Sequence, residues 1–244
     1  MKVLGICSYR GTNYYGWQKQ VGFTSVQSTI EEVLSQIYDA PISIVGSGRT
    51  DAGVHALRQY FHFETNKEKD LNQLAYALNK MLPDDIKILS LEKVADDFHA
   101  RYSAKKKIYE YCIALTNKDP FNYERAYVYP MVLDLDLFKQ AINLFVGKHN
   151  YQDFTSKEEE EGGFIREIYD IKVEQIDNLI SVRFEGNGFM RYQIRNMIGT
   201  AMAVASKKED ISFIKYHLES NKTREIVSYK SPACGLYLVD VLYK

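Results

Sequence analysis

Cysteine is scarce in this chain of 244 residues, and its three cysteines, Cys7, Cys112 and Cys234, lie far apart. An odd number of thiols without paired spacing argues against a disulfide framework and against a zinc site. None of the five histidines stands at ligand spacing with a cysteine or a carboxylate. The sequence therefore predicts free thiols and no bound metal.

Long hydrophobic runs are also lacking. No stretch approaches the length that spans a membrane, and the apolar run at 3–9 is too short for a signal peptide and has no small-residue cleavage site. We therefore expect a cytoplasmic protein that does not associate with membranes. A hydrophobic content of 45% is enough for an ordinary buried core.

Neither sign of charge is in excess. The 31 Lys and Arg residues and 32 Asp and Glu residues give a formal net charge of −1, whereas a general binder of polyanions is usually basic. Any basic surface must therefore come from local clusters, for which a solvated face is the simpler explanation. The candidate clusters are Arg101, Lys105, Lys106 and Lys107, and Arg166, Arg183, Arg191 and Arg195.

Hydrophobic periodicity predicts a βαββαβ order for the N-terminal half, the split arrangement of ferredoxin-like and RRM-like units. The segment 25–38 places its apolar residues on one helix face. A second helix, 70–82, begins after Asp70 as a candidate N-cap and ends before Pro83. The predicted strands are 3–9, 42–46, 57–64 and 86–94.

The C-terminal half follows this order loosely. Its predicted elements are strand 107–115, helix 134–146, strands 167–176 and 179–185, helices 189–206 and 210–219, and a last strand 235–243. We predict an α+β protein of two RRM-like halves, 1–104 and 105–244, with mainly antiparallel sheets and a central active-site cleft. Because no linker rich in Pro, Gly or Ser separates the halves, we expect a continuous or tightly packed sheet.

The stretch ISIVGSGRTDAGVHALRQYFHFET (42–65) places a glycine-rich loop between two predicted strands. A nucleotide-binding P-loop would need glycine at Ser43, lysine at Arg49 and a helix afterwards, and none of these is present in the sequence pattern. A plain hairpin turn would need only about two to five residues. An arginine can hold a nearby carboxylate ionised and oriented. Asp51, two residues after Arg49, is therefore our candidate for an active-site carboxylate.

This loop resembles the catalytic motif of the TruA family of tRNA pseudouridine synthases, in which the aspartate of the Arg-Thr-Asp triplet is essential. Further segments agree with the family in order and spacing, so the resemblance covers nearly the whole chain. They are GTNYYGWQKQ (11–20), SVQSTIEEVL (25–34), LNKMLPDDIKI (78–88), FHARYSAKKKIYEY (98–111), GKHNYQDF (147–154), GFMRYQIRNMIGT (188–200) and SPACGLYL (231–238).

The resemblance implies the pseudouridine synthase fold, a homodimer, no cofactor and no metal. It also implies isomerisation of uridines 38 to 40 in the anticodon arm of tRNA. For the site, it implies that Asp51 is the catalytic carboxylate, that Arg49 and Arg195 pair with it, that Tyr109 stacks on the flipped uracil, and that Leu236 is an apolar pocket residue.

Other interpretations stay open at this point. Tyr109 could be a core aromatic in a chain with 19 tyrosines, and Arg195 a helix-surface arginine. A catalytically silent RNA-binding module is the competing class of protein, although such a module has no use for an Arg-x-Asp loop. The candidates for contact with the RNA backbone are Arg58, Arg101, Lys105, Lys106 and Lys107.

The chain departs from the family pattern around the motif, at Arg10, Arg58, Asn150, Tyr151 and Gln193. The Arg-Thr-Asp triplet is intact, so these departures bear on the choice of substrate more than on the chemistry. Action on other tRNA positions or on ribosomal RNA stays open.

Overall fold

The computed structural model describes residues 1–115, 124–129, 132–158, 162–219 and 223–243. Two compact units are present: residues 1–105 with the described residues from Tyr237 onward, and Lys106–Leu236. Both combine helices with mainly antiparallel strands, which confirms the predicted α+β class. Within the described residues, no helix has the length and apolar character needed to cross a membrane.

The helices and strands follow the predicted order closely. Up to residue 105 they are β1 (Lys2–Tyr9), α1 (Val26–Tyr38), β2 (Ile44–Gly46), β3 (His55–Glu64), α2 (Leu71–Met81) and β4 (Ile86–Val94). After residue 105 they are β5 (Lys106–Ala114), β6 (Tyr127–Val128), α3 (Leu135–Asn143), β7 (Gly147–Asn150), β8 (Ile165–Ile176), β9 (Leu179–Gly186), α4 (Gln193–Ala205), α5 (Ile211–Leu218) and β10 (Leu236–Leu242).

In the first unit, β1 is the central strand and pairs antiparallel with both β3 and β4. The short strand β2 pairs with the C-terminal part of β3. Against this sheet the helix α1 buries Ile30 and Leu34, and Trp17 and Phe61 are buried as well. Residues 3–7 of β1 are all buried, as expected for a central strand, and the buried apolar residues of α1 recur at helical spacing.

Capping residues set the ends of α1 and α2. The hydroxyl of Ser25 accepts a hydrogen bond from the backbone N–H of Ser28 at 3.1 Å, which satisfies a donor of the first turn of α1. The carboxylate of Asp70 accepts a hydrogen bond from the backbone N–H of Gln73 in α2 at 2.8 Å, which confirms Asp70 as the N-cap. The helix α2 ends at Met81, two residues before Pro83, as expected from the restricted backbone preceding a proline.

The last strand pairs with the N-terminal part of the chain. Tyr237 and Leu238 of β10 pair in parallel with His55 and Ala56 of β3, so the residues from Tyr237 onward belong to the first unit. The sequence analysis grouped this strand with residues 105–244. Its hydrophobic pattern indicates a strand but does not name its partner, because pairing over such a separation is a long-range property.

In the second unit, β5, β9, β8 and β7 form an antiparallel sheet in that order, and β6 adds to β5 in parallel. Phe138 and Ile142 of α3 and Met197 and Ala201 of α4 are fully buried, as expected for helices that pack together.

The helix α4 begins at Gln193, four residues after the predicted start. Tyr192 has φ of 65°, in the left-handed region, so a right-handed helix cannot extend back through it. The apolar residues before Tyr192 continue the helical pattern in the sequence, which explains the early predicted start.

Burial of His62 on β3 makes the first unit sensitive to acid. Its Nδ1 accepts a hydrogen bond from the backbone N–H of Ala100 at 3.1 Å, which requires an unprotonated ring nitrogen. Loss of solvation, together with the nearby His99 and Lys2, lowers the pKa of His62 from 6.5 to about 4.

We predict that the free energy of unfolding falls as the pH falls from about 6.5 to about 4, because the unfolded chain then binds a proton that folded His62 excludes. Urea titrations at several pH values measure this. His62→Asn keeps an acceptor but cannot bind the proton, so the stability difference between wild type and variant should shrink on acidification. A difference that is constant over this range would contradict the prediction.

Candidate active site

The loop between β2 and β3 is tied to the sheet at its start. The backbone N–H of Ser47 donates to the carbonyl of Tyr60 at 2.7 Å, and the hydroxyl of Ser47 donates to Oε1 of Gln59 at 2.7 Å. The side-chain amide of Gln59 donates in turn to the carbonyl of Gly48 at 3.0 Å. Ser47 and Gln59 are fully buried, so the loop leaves the sheet from a fixed point.

Thr50, the residue before Asp51, is held from two sides. Its hydroxyl lies 2.8 Å from the hydroxyl of Tyr9 on β1, and its carbonyl accepts a hydrogen bond from the N–H of Trp17 at 3.1 Å. Gly16 has φ of +82°, and a Cβ there would stand 2.4 Å from the same carbonyl. Only glycine allows this close approach in this conformation.

Asp51 is half-buried, between buried Thr50 and exposed Ala52. Its carbonyl accepts a hydrogen bond from the N–H of Val54 at 3.1 Å, closing a turn through Gly53, which has φ of +79°. The backbone of Asp51 is therefore fixed on both sides. A carboxylate in such a position is preorganised for chemistry, because its placement does not have to be achieved during the reaction.

Arg49 is exposed, and its Nε donates to Oε1 of Gln18 at 3.2 Å. Gln18 is itself oriented by Gln27, whose Oε1 accepts from Nε2 of Gln18 at 2.8 Å. Pairing of Arg49 with Asp51 stays a prediction.

Tyr109 lies in the middle of β5 and is almost fully buried. Its ring meets that of Phe189 edge to face, with 5.2 Å between the centroids. On the neighbouring strand β9 it stands opposite Phe184. Such packing holds the ring rigidly, as both a platform for an extruded base and a core aromatic require. The role of Tyr109 in base stacking stays a prediction.

Arg195 projects from the first turn of α4 and is held by the segment that precedes β10. Its Nε donates to the carbonyl of Ser231 at 2.9 Å, and the backbone N–H and hydroxyl of Ser231 both donate to the carbonyl of Arg195 at 3.0 Å. Arg195 is thus ordered rather than a freely moving surface side chain. Leu236, at the start of β10, is buried.

Asp51 and Arg49 belong to the first unit, and Tyr109, Arg195 and Leu236 to the second. Their assembly into one site stays a prediction.

Arg58 on β3 is already engaged by an acidic residue. Its Nε lies 3.3 Å from Oδ1 of Asp240, and Nη2 donates to the hydroxyl of Tyr60 at 3.1 Å. The hydrogen bond with Tyr60 and the charge of Asp240 raise the pKa of Arg58. A phosphate that binds Arg58 would have to compete with Asp240.

The lysines and arginine between 101 and 107 differ in their exposure. Arg101 is exposed, with its guanidinium 5.5 Å from the ring centroid of Tyr102, and Lys105 is exposed too. Lys107 is half-buried. Lys106 forms an ion pair with Glu185 at 2.7 Å and thereby lowers the pKa of that carboxyl. Arg101 and Lys105 are the more accessible candidates for RNA contact.

Two members of a predicted basic cluster, Arg191 and Arg195, lie around the ring of Tyr192 together with Lys230, which the sequence analysis did not include. The cationic groups of Arg191, Arg195 and Lys230 lie 4.8, 5.2 and 4.4 Å from the ring centroid of Tyr192. The closeness of Arg191, Tyr192 and Arg195 in the sequence indicated that the two arginines could contact this ring. Lys230 is far from them in the sequence, so its contact with Tyr192 was not predictable.

Metal ligands do not gather in the described ranges: no group of three or more His, Cys, Asp or Glu side chains there could hold an ion. The expectation that the protein needs no metal or cofactor stays a prediction.

The chain matches a family model described as tRNA pseudouridine synthase over residues 6–103 and 141–244. It is 39% identical to the tRNA pseudouridine synthase A of an Exiguobacterium species, over 98% of this chain and 96% of that protein. It is 36% identical to the protein of the same name from Streptococcus uberis, over 98% and 97% of the two chains. A Thermoanaerobacter relative is 35% identical over 99% of both.

The chain therefore belongs to the tRNA pseudouridine synthase family. Membership confirms the resemblance seen in the loop and the segments around it.

We predict that Gly16→Ala displaces Thr50 and disturbs Asp51, because the new Cβ cannot fit against the Thr50 carbonyl. Gly22→Ala is a matched control, since Gly22 has nearly the same φ of +81° but open space where the Cβ would lie. Denaturant unfolding should show a loss of about 1–2 kcal/mol from backbone strain in both variants and a further loss of about 1–3 kcal/mol from overpacking in Gly16→Ala alone. Equal losses would contradict the described contact.

Proposed function

We propose that Asp51 is the catalytic carboxylate with which this protein isomerises uridine in tRNA to pseudouridine. The observation that carries the proposal is the position of Asp51 in a loop whose backbone is hydrogen-bonded on both sides of it, in a chain of this family. Side chains that react with substrate need this kind of support, because small displacements from the reacting geometry are costly.

The reaction breaks the bond between N1 of uracil and C1′ of the ribose and joins C5 of uracil to C1′. C5 loses a proton and N1 gains one, so the mass of the RNA is unchanged and no electrons are exchanged with a second reagent. Asp51 can act by attacking the ribose or by removing a ribose proton, and both routes require its ionised form. Positive charge from Arg49 and Arg195 would favour that form.

The target base must leave its stack before this chemistry, and an aromatic ring is the usual support for an extruded base. We assign this support to Tyr109 and the apolar wall of the pocket to Leu236. Arg58, Arg101, Lys105 and Lys107 are assigned to the RNA backbone, whose phosphates need local cations in a chain of net charge −1.

The finer parts of the proposal follow the resemblance. They are modification of uridines 38 to 40 in the anticodon arm, a homodimer, and action in the cytoplasm. Mapping pseudouridine in total RNA from cells with and without this protein tests the first of these. Sites in ribosomal RNA, in place of the anticodon arm, would assign a different substrate to the same chemistry.

We predict that Asp51→Asn binds tRNA but releases essentially no tritium from RNA labelled at C5 of uracil. The amide keeps the shape of the side chain and removes the charge. Asp51→Glu should fail nearly as badly, since an added methylene displaces the carboxylate.

The matched control is Asp84→Asn, which removes a charge from an exposed aspartate in the same unit and should release tritium like the wild type. If Asp51→Asn is as active as this control, the loop is structural. If the wild type itself binds tRNA and releases no tritium, the protein is a silent RNA-binding module.

We predict a graded response at Tyr109. Tyr109→Phe keeps the ring and should bind tRNA like the wild type, with turnover reduced if the hydroxyl takes part in proton transfer. Tyr109→Ala should weaken binding by about 1–3 kcal/mol, the usual contribution of base stacking on an aromatic ring. Filter binding and tritium release measure the two effects. Full activity per folded molecule in both variants would make Tyr109 a core residue only.

A further inference from the structure

Residues 14–24, which we call the aromatic tip, form a small ordered loop before α1. The N–H of Tyr15 donates to the carbonyl of Thr24 at 3.0 Å, and the side-chain amide of Gln20 donates to the carbonyl of Tyr15 at 3.2 Å. Gln20 and Phe23 form an isolated β-bridge, and Gly22 between them takes φ of +81°. The tip is therefore a structure in its own right.

This ordered loop holds large apolar side chains in solvent. Val21 is 100% exposed, Tyr15 is 55% exposed and Phe23 is 48% exposed. The rings of Tyr15 and Phe23 lie against each other, with 4.2 Å between centroids and an interplanar angle of 39°. Exposed apolar groups that adjoin each other indicate a contact surface more often than scattered ones do.

The base of the tip is joined to the loop that carries Asp51. The backbone N–H of Trp17 donates to the carbonyl of Thr50, the residue before Asp51, at 3.1 Å. One residue further along, Gln18 accepts a hydrogen bond from exposed Arg49. The tip and the Asp51 loop are thus connected directly within the first unit, and the connection includes a cation.

We propose that Tyr15 and Phe23 stack on an unpaired nucleotide that flanks the uridine to be isomerised. The proposal rests on the proposed function of Asp51. Extrusion of one base leaves its neighbours partly unstacked, and an aromatic side chain can replace the lost stacking for any base, because every base has a π face. Arg49 supplies positive charge next to the tip for the RNA backbone.

RNA is favoured over a protein partner because the tip is small and connected to the Asp51 loop. Three exposed apolar side chains provide far less than the roughly 1,200 Å² that a stable protein interface buries. A single nucleotide, in contrast, needs only one or two rings.

The first experiment measures KM and kcat for tritium release with Phe23→Ser and Tyr15→Ser. We expect KM to rise about tenfold in each, as for the loss of one ring stacked on one base, with kcat within about twofold of the wild type. Phe23→Tyr should restore the wild-type KM. Tyr76→Ser is the matched control, since Tyr76 is 68% exposed in the same unit and away from the tip in sequence, and it should change neither parameter.

The second experiment uses tRNA transcripts that are abasic at single positions beside the target uridine. At the position that stacks on the tip, the wild type should show the raised KM and Phe23→Ser should add nothing further. At other positions, the effect of Phe23→Ser should persist. Melting temperatures equal to that of the wild type show that the variants are folded.

Unchanged KM in both serine variants, or an effect that is the same on every abasic transcript, would overturn the proposal. So would a change of sedimentation coefficient from dimer to monomer in Phe23→Ser, which would make the tip a contact between copies of the chain. If only the tip proposal is wrong, the wild type is still active and Asp51→Asn is still inactive. If Asp51→Asn is active or the wild type is not, the proposed function falls and the tip proposal falls with it.

Discussion

The position of Asp51 depends on the two hydrogen bonds of Thr50. Tyr9 comes from β1, Trp17 from the segment before α1, and Thr50 from the loop, so three separate parts of the chain meet at one threonine. All three residues are buried, and a buried polar group that loses its partner costs about 1–3 kcal/mol. The carboxylate thus takes its place from contacts with β1 and with the segment before α1, as well as from the loop's own turn at Gly53.

This support also explains why the loop is long without being loose. Ser47 and Gln59 fix its start, and the turn at Gly53 fixes the residues after Asp51. Between these anchored ends only Arg49 and Ala52 are exposed, and the half-buried Asp51 lies between them on a hydrogen-bonded backbone. In the proposed role of Asp51, RNA binding does not first have to order this carboxylate, so less binding energy is lost to ordering.

Hydrophobic periodicity predicted most of the helices and strands, because the capping and turn residues in the sequence mark the same boundaries. The cap at Asp70 and the strand 86–94 are examples, and the Arg-Thr-Asp triplet identified the candidate carboxylate. The short strand β7 was missed because four residues carry too little alternation. Two contacts were not predictable either, because each joins residues far apart in the sequence. They are the hydrogen bond between Thr50 and Tyr9 and the contact of Lys230 with the ring of Tyr192.

The pairing of β10 with β3 has a consequence for how the protein is made. The C-terminal part of β3 is covered by β2, but its first residues, His55 and Ala56, pair with Tyr237 and Leu238. During synthesis, this edge directly after the Asp51 loop stays unpaired until Tyr237 and Leu238 have been made, which is after the whole of the second unit. The first unit is therefore begun first and completed last, and a nascent chain that is released early exposes an unpaired strand edge, the feature most prone to aggregation in sheet proteins.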